Sequence, residues 1–166
     1  MLEEDLADDL SEDENIQLNK YLLFPLGNEL YGIPIDTVIN IVELQKITAV
    51  PDVPNYIKGL INLRGNVLPV IDLRLRFHMP PRDYDDRTCI IIAKAKEQTF
   101  GMIVDTVAEV QDIPPENIEP PVQVMSKQLN TNYLQGIGKV GDSIRLLLNV
   151  EKLLDEDDLP QNIKNS

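Results

Sequence analysis

Residues 21–38 can be laid without a gap over residues 90–107, and the chemistry returns position by position. Tyr31-Gly32-Ile33-Pro34-Ile35-Asp36-Thr37-Val38 falls on Phe100-Gly101-Met102-Ile103-Val104-Asp105-Thr106-Val107. A second gapless match sets Asn55-Tyr56-Ile57-Lys58-Gly59-Leu60 over Asn132-Tyr133-Leu134-Gln135-Gly136-Ile137 and continues into two apolar runs, 67–73 and 144–150. The first pair of segments lies 69 positions apart and the second 77, so the second copy carries about eight extra residues in its middle loop. Two copies of one small unit are therefore expected to face each other across a groove. Whatever both copies keep serves the fold; where they differ, function has room to act.

Each unit reads as β structure. The apolar stretches 21–26 and 30–35 are separated by Gly27-Asn28-Glu29, a hairpin signal, and the second copy repeats it around Lys96-Glu97-Gln98. Asp36-Thr37 and Asp105-Thr106 follow, and their short oxygen-bearing side chains predict N-capped helical turns over 38–41 and 107–110. Pro51, Pro54, Pro114, Pro115, Pro120 and Pro121 mark irregular middle loops outside the core. A second hairpin in each copy turns at Arg64-Gly65-Asn66 and at Gly141-Asp142-Ser143, with Gly65 supplying a left-handed position. Pro69 within its strand implies an edge or a bulge. Short helices, capped by Asp72 and Asn149, close each copy. Many short strands with regular turn signals indicate an all-β protein built as two small barrels.

Charge and composition exclude several function classes. Residues 1–14 hold eight acids and no base, whereas 15–150 hold 15 acids against 13 bases, so most of the net charge of −13 sits in the tails. Nucleic acid is an unsuitable partner, because phosphate backbones are held by clustered Lys and Arg. No apolar run approaches the roughly 20 residues that span a bilayer, so direct membrane insertion is not expected. The acidic N-terminus reads as a disordered, solubilising tail. A single cysteine, Cys89, forms no internal disulfide, fits a reducing cytoplasm, and is read as a small buried residue opening a strand.

Catalytic signatures are likewise wanting. Gly136-Ile137-Gly138-Lys139-Val140-Gly141 spells a dinucleotide fingerprint, but it leads into a strand where that fingerprint must open a helix. His78 is the sole histidine and reads as a surface residue; without a second histidine or a cysteine pair, a metal site lacks ligands. No serine has a partner histidine in a recognisable motif. The chain is expected to be no enzyme and to use no cofactor or metal. One difference between the copies stands out: Arg64 lies opposite Gly141, so the turn forms without an arginine, and an arginine at a hairpin tip can anchor a partner carboxylate or backbone.

Ile57-Lys58-Gly59-Leu60-Ile61-Asn62-Leu63-Arg64-Gly65, followed by Val67-Leu68-Pro69-Val70-Ile71-Asp72-Leu73, resembles the central motif of the CheW-like family of chemotaxis coupling proteins. Tyr31-Gly32-Ile33 with Val38, Gly101 to Asp105 with Val107, and Tyr133-Leu134-Gln135-Gly136 with Leu146 to Val150 match in order, so the resemblance covers about residues 17–155. It implies two intertwined five-stranded SH3-like β-barrels: a first copy over 17–88 and a second over 89–155, with strand exchange between them left open. An acidic tail over 1–16 and a C-terminal tail over 156–166 would flank them. It further implies a cytoplasmic adaptor that couples chemoreceptor signalling tips to the regulatory domain of the histidine kinase CheA, joined to receptor arrays through protein contacts alone. Carried over by position, Val38 and Arg64 would lie at a receptor-binding groove with Lys58 and Gly59 near it, and Val104 and Val107 would line the second-barrel side. Members often carry a glutamate where this chain has Asn40. Kinase-binding residues are not assigned. Competing readings are a coupling protein of a type IV pilus or other non-flagellar chemosensory pathway, and, from another class, a small-molecule-binding β-barrel, which would need a pocket with convergent polar groups.

Overall fold

A computed structural model describes residues 19–121 and 131–161. The acidic segment 1–14 and residues 122–130 of the long middle loop lie outside the described residues. The first copy supplies β1 (Lys20–Leu26), β2 (Glu29–Pro34), β3 (Val38–Glu43), β4 (Ile57–Leu63), β5 (Asn66–Asp72) and the one-turn helix α1 (Leu73–Arg76). The second supplies β6 (Cys89–Ala95), β7 (Gln98–Val104), β8 (Glu109–Asp112), β9 (Ile118–Glu119), β10 (Leu134–Val140) and β11 (Ser143–Leu148).

The strands form two sheets, and each sheet draws on both copies. One runs β8-β1-β2-β11-β10-β9 and the other β3-β6-β7-β5-β4. Each joins the opening hairpin of one copy to the closing hairpin of the other through a parallel pair, Leu146 beside Tyr31 in the first sheet and Val70 beside Gly101 in the second. A third strand of the opposite copy borders each opening hairpin, β8 along β1 and β3 along β6. This all-β architecture is intertwined: neither copy can close its sheet without strands from the other.

Strict alternation sorts the side chains. On β1, Leu22, Phe24 and Leu26 enter a large core that also holds Ile91, Phe100 and Met102 of the opposite sheet, whereas Tyr21 and Leu23 enter a smaller cluster with Ile113 and Leu147. The second sheet has its own cluster of Ile61, Leu68, Val70, Ile90, Ile92 and Ile103. Each sheet thus wraps a private core while both share the central one.

The bulge that opens each closing hairpin is repeated, at Ile57/Gly59 and at Leu134/Gly136. Beside it the returning middle loop pairs back, Thr48 with Leu60 and Glu119 with Ile137. Gly59 has φ 145°, and a Cβ there would run into the carbonyl oxygen of Thr48. The glycine retained in both copies is where two backbones must touch.

Short-range chemistry came out as expected in several places. The hairpin turns stand at Gly27-Asn28, Arg64-Gly65, Lys96-Glu97 and Gly141-Asp142. Asp72 accepts from the Leu75 amide to cap α1, and Asn149 caps the 3-10 turn Val150–Lys152 by accepting from Glu151 N. Pro69 sits on the part of β5 that has not yet met β7, whose pairing begins at Val70. His78 is exposed, and the dinucleotide-like glycines lie in β10 and its turn. Cys89 opens β6 but is half-buried rather than buried.

Two expectations are corrected. Residues 38–43 and 109–112 are strands, not capped helical turns. A 3-10 turn, Ile35–Thr37, precedes β3 with no side-chain cap, because the segment from Val38 to Val42, β-branched at every position but Asn40, pairs along β6 instead of coiling. Asp105 has other work: Arg74 grips it through Nε and Nη2 at 2.9 and 2.7 Å, and Arg82 adds a contact at 3.0 Å. The middle loop of the second copy is also less peripheral than its prolines suggest, since Ile113 is fully buried and β9 extends the sheet. At the C-terminal end the chain stays docked past residue 155, with Leu159 buried and Asp158 accepting the Tyr56 hydroxyl at 2.6 Å.

Candidate partner-binding surface

Arg64 stands at the tip of the β4–β5 hairpin in the left-handed region, φ 54°, followed by Gly65 at φ 87°. Two successive positive φ values define the tight hairpin turn that suits Asn-Gly or Gly-Gly, and a side chain with a long stem occupies its first position at a cost. Asn62 Oδ1 holds the tip closed by accepting from Gly65 N at 2.9 Å. At the corresponding tip, Gly141 also has a positive φ, 60°, but Asp142 after it does not. The Arg64 side chain is exposed and, among the described residues, has no hydrogen-bond or ion-pair partner.

Beside this tip a cleft of about 430 Å³ is lined by Ile39, Leu63, Val67, Leu68 and Ile92, with Thr99 and the turn backbone completing it. Ile39 is 57% exposed and Val67 46%. Ile39 is the extra residue of a bulge in β3, which turns it outward at the mouth of the second sheet's private core. Large exposed side chains recur at matching positions of the other copy: Val110 stands where the first copy has Ile41, and Ile144 where it has Val67. Arg145, which donates to Gln111 Oε1 at 3.2 Å, replaces Leu68 there and makes that end more polar.

The six residues singled out from sequence do not form one cluster. Val38 and Val107, equivalent in the repeat, are both half-buried and pack on the rim of the shared core. Arg64 marks the far tip of the β4–β5 hairpin, whereas Lys58 and Gly59 occupy the bulge at the opposite end, about 20 Å away along the strand. Gly59 is buried against Thr48. Val104 is 1% exposed and belongs to the shared core, so its side chain supports the surface from beneath. Ile39, Ile41, Val67, Val110 and Ile144 were missed, although the repeat offered a signal for four of them: Ile41 returns as Val110 and Val67 as Ile144, whereas Ile39 meets Ala108.

The two copies are clasped at their seam. Arg76 lies over the equivalent rings of Tyr56 and Tyr133, at 4.1 and 4.8 Å, and donates to the carbonyls of Leu153 and Lys152. Burial and the hydrogen bond to Asp158 push the Tyr56 phenol well above its ordinary range. A depression of about 510 Å³ next to this clasp has a floor of Phe100, Tyr133 and Leu154, and its rim alternates Lys96 and Lys152 with Glu151 and Glu156. No single ligand chemistry converges there.

The model of the CheW-like domain matches residues 20–158. The chain belongs to the CheW-like family. It is 36% identical over 140 residues to the chemotaxis protein CheW of Klebsiella aerogenes, covering 84% of each chain. With the CheW of Helicobacter pylori it shares 34% identity over 146 residues, 88% of this chain and 87% of that one. The crystal structure of the scaffolding protein CheW from Thermoanaerobacter tengcongensis superposes with a TM-score of 0.77 at 35% identity, covering 87% of this chain and 92% of the other. Membership makes the chain a chemotaxis adaptor, and the SH3-like CheW fold accounts for the two intertwined sheets. No helix among the described residues is long and apolar enough to cross a membrane.

Proposed function

We propose that this chain bridges chemoreceptor signalling tips to the regulatory domain of the histidine kinase CheA in the cytoplasm, using separate surfaces for the two partners and performing no catalysis of its own. The observation that carries the reading is Arg64. A left-handed arginine is held where the sister turn uses glycine, and its guanidinium has no partner among the described residues. Such an outlier is a hypothesis of function, here a polar anchor for an acidic or backbone group on the receptor.

Val38 and Val107, on the rim of the shared core, supply the apolar part of the receptor groove. Val104 lies under it, and Lys58 with Gly59 bounds its far end. The exposed Ile41 and Val67 on one sheet and Val110 and Ile144 on the other give the molecule two related apolar ends, which suits a partner built of similar barrels. The end that carries Val110 and Ile144, which lacks the Arg64 tip, is our assignment for the kinase. A charge on the groove side, Val38→Asp, is expected to weaken receptor-tip binding at least tenfold, about 1.4 kcal/mol, and leave kinase-domain affinity unchanged. Circular dichroism checks that the fold is kept. Mutual competition between receptor fragment and kinase domain for the wild-type protein would mean one shared surface and end the bridging mechanism.

A further inference from the structure

We infer that the acidic N-terminal segment of this chain, residues 1–18, docks on the apolar cleft beside Arg64. The occupant is the chain itself, so the inference stands apart from the receptor-and-kinase reading. Residues 1–18 lie outside the described residues, and their sequence is what recommends them. Leu2, Leu6 and Leu10 recur every fourth position among eight acids, an apolar stripe that solubility alone does not call for.

The cleft offers the complementary chemistry. Its walls are Ile39, Leu63, Val67, Leu68 and Ile92. Arg64 stands at its rim, and Lys94 faces Thr99 in register on the β6–β7 ribbon. Neither cation has an acidic partner among the described residues. The corresponding end of the other sheet suits such a segment less: its counterpart of the cleft wall Leu68 is the polar Arg145, and that one cation is outnumbered by acids. Gly141 and Pro25 replace the two cations there, Ala108 replaces Ile39, and Asp142 and Glu109 add negative charge. Charge thus selects one of the two related ends.

The tether reaches. Tyr21 pairs with Pro34, five residues before Ile39, so the chain leaves β1 at the end of the sheet from which β3 begins. From Leu10 to Asn19 the backbone spans up to about 30 Å when extended, and from Pro34 to Ile39 at most about 17 Å. A tether of this length sets an effective concentration of about a millimolar, so even a weak contact fills much of the cleft. High salt releases it, since the attraction is between exposed charges.

The test places a paramagnetic label at Ser11→Cys in full-length Cys89→Ser protein and reads the methyl signals of Ile39, Val67, Val110 and Ile144. The expected result is broadening of Ile39 and Val67 at low salt, at least threefold stronger than at Val110 and Ile144. It should be lost at 0.5 M salt, in Arg64→Ala, and in the labelled protein with Leu6→Asp and Leu10→Asp. Broadening that is absent, equal at both ends, or unchanged by the leucine substitutions would overturn the inference. None of these readings involves receptor or kinase.

Discussion

The two hairpin tips hold equivalent places in the repeat and are furnished differently. Both place their first turn residue in the left-handed region, at φ 54° and φ 60°, yet one position holds Arg64 and the other Gly141. At the opposite ends of the same hairpins the copies agree: Gly59 and Gly136 admit the returning loop in both sheets. Agreement marks what closes the sheet, and disagreement is where the proposed receptor anchor lies. A shared residue can also serve differently: Asp36 is exposed at its 3-10 turn, whereas two arginines hold its equivalent Asp105 at the seam.

The largest effect is expected where the copies agree. Gly59→Ala forces a Cβ into the Thr48 backbone at a φ that only glycine adopts readily, and should destabilise the fold by about 3 kcal/mol or more. Gly141→Ala meets open space and pays only for its left-handed turn, about 1 kcal/mol. Urea titration of the two variants measures both, and equal losses would break the distinction between closure and tip.

Asp105 comes next. Burial alone would raise its carboxyl, but the hydrogen bonds and charges of Arg74 and Arg82 outweigh it and hold it below the usual carboxylate range. Asp105→Asn should cost about 2 kcal/mol at neutral pH, and Asp36→Asn should stay within about 0.5 kcal/mol. A depressed carboxyl contributes stability that is complete above its ordinary pKa and is lost as pH falls through the lower folded value. The gap between wild type and Asp105→Asn should therefore narrow on acidification below about pH 4. A gap that holds constant to pH 2 in denaturation profiles would remove the ion pair from the account.

The smallest effect belongs to the N-terminal segment. Deleting residues 1–14 should change solubility and salt response clearly, and partner affinity by less than tenfold, or about 1.4 kcal/mol. Calorimetry with each partner at two salt concentrations checks this. A larger loss would place the segment inside an interface.

How much of this was legible depended on range. Turn glycines, the caps at Asp72 and Asn149, and the repeat are short-range chemistry or direct likeness, and could be read from the chain. Strand exchange could not, because a repeat shows which segments are alike and not which copy each will pair with. Asp36-Thr37 resembled a cap signal, and only pairing with β6 decided that Val38 to Val42 would extend. Of the site, Arg64 was visible because its sister position lacks it. The cleft was not: outward-turned Ile39 and buried Val104 are both β-branched residues in apolar runs, and a bulge rather than a residue type sends the first to the surface.

On the function proposed for it, Arg64 is kept for a partner against the preference of its own backbone. Arg64→Gly tests both halves in one variant. Calorimetric binding of a receptor signalling-tip fragment should weaken by about 1–3 kcal/mol while urea denaturation shows the fold unchanged or steadier by about 0.5–1 kcal/mol. Undiminished receptor affinity, or a fold that loses stability without the arginine, would contradict it.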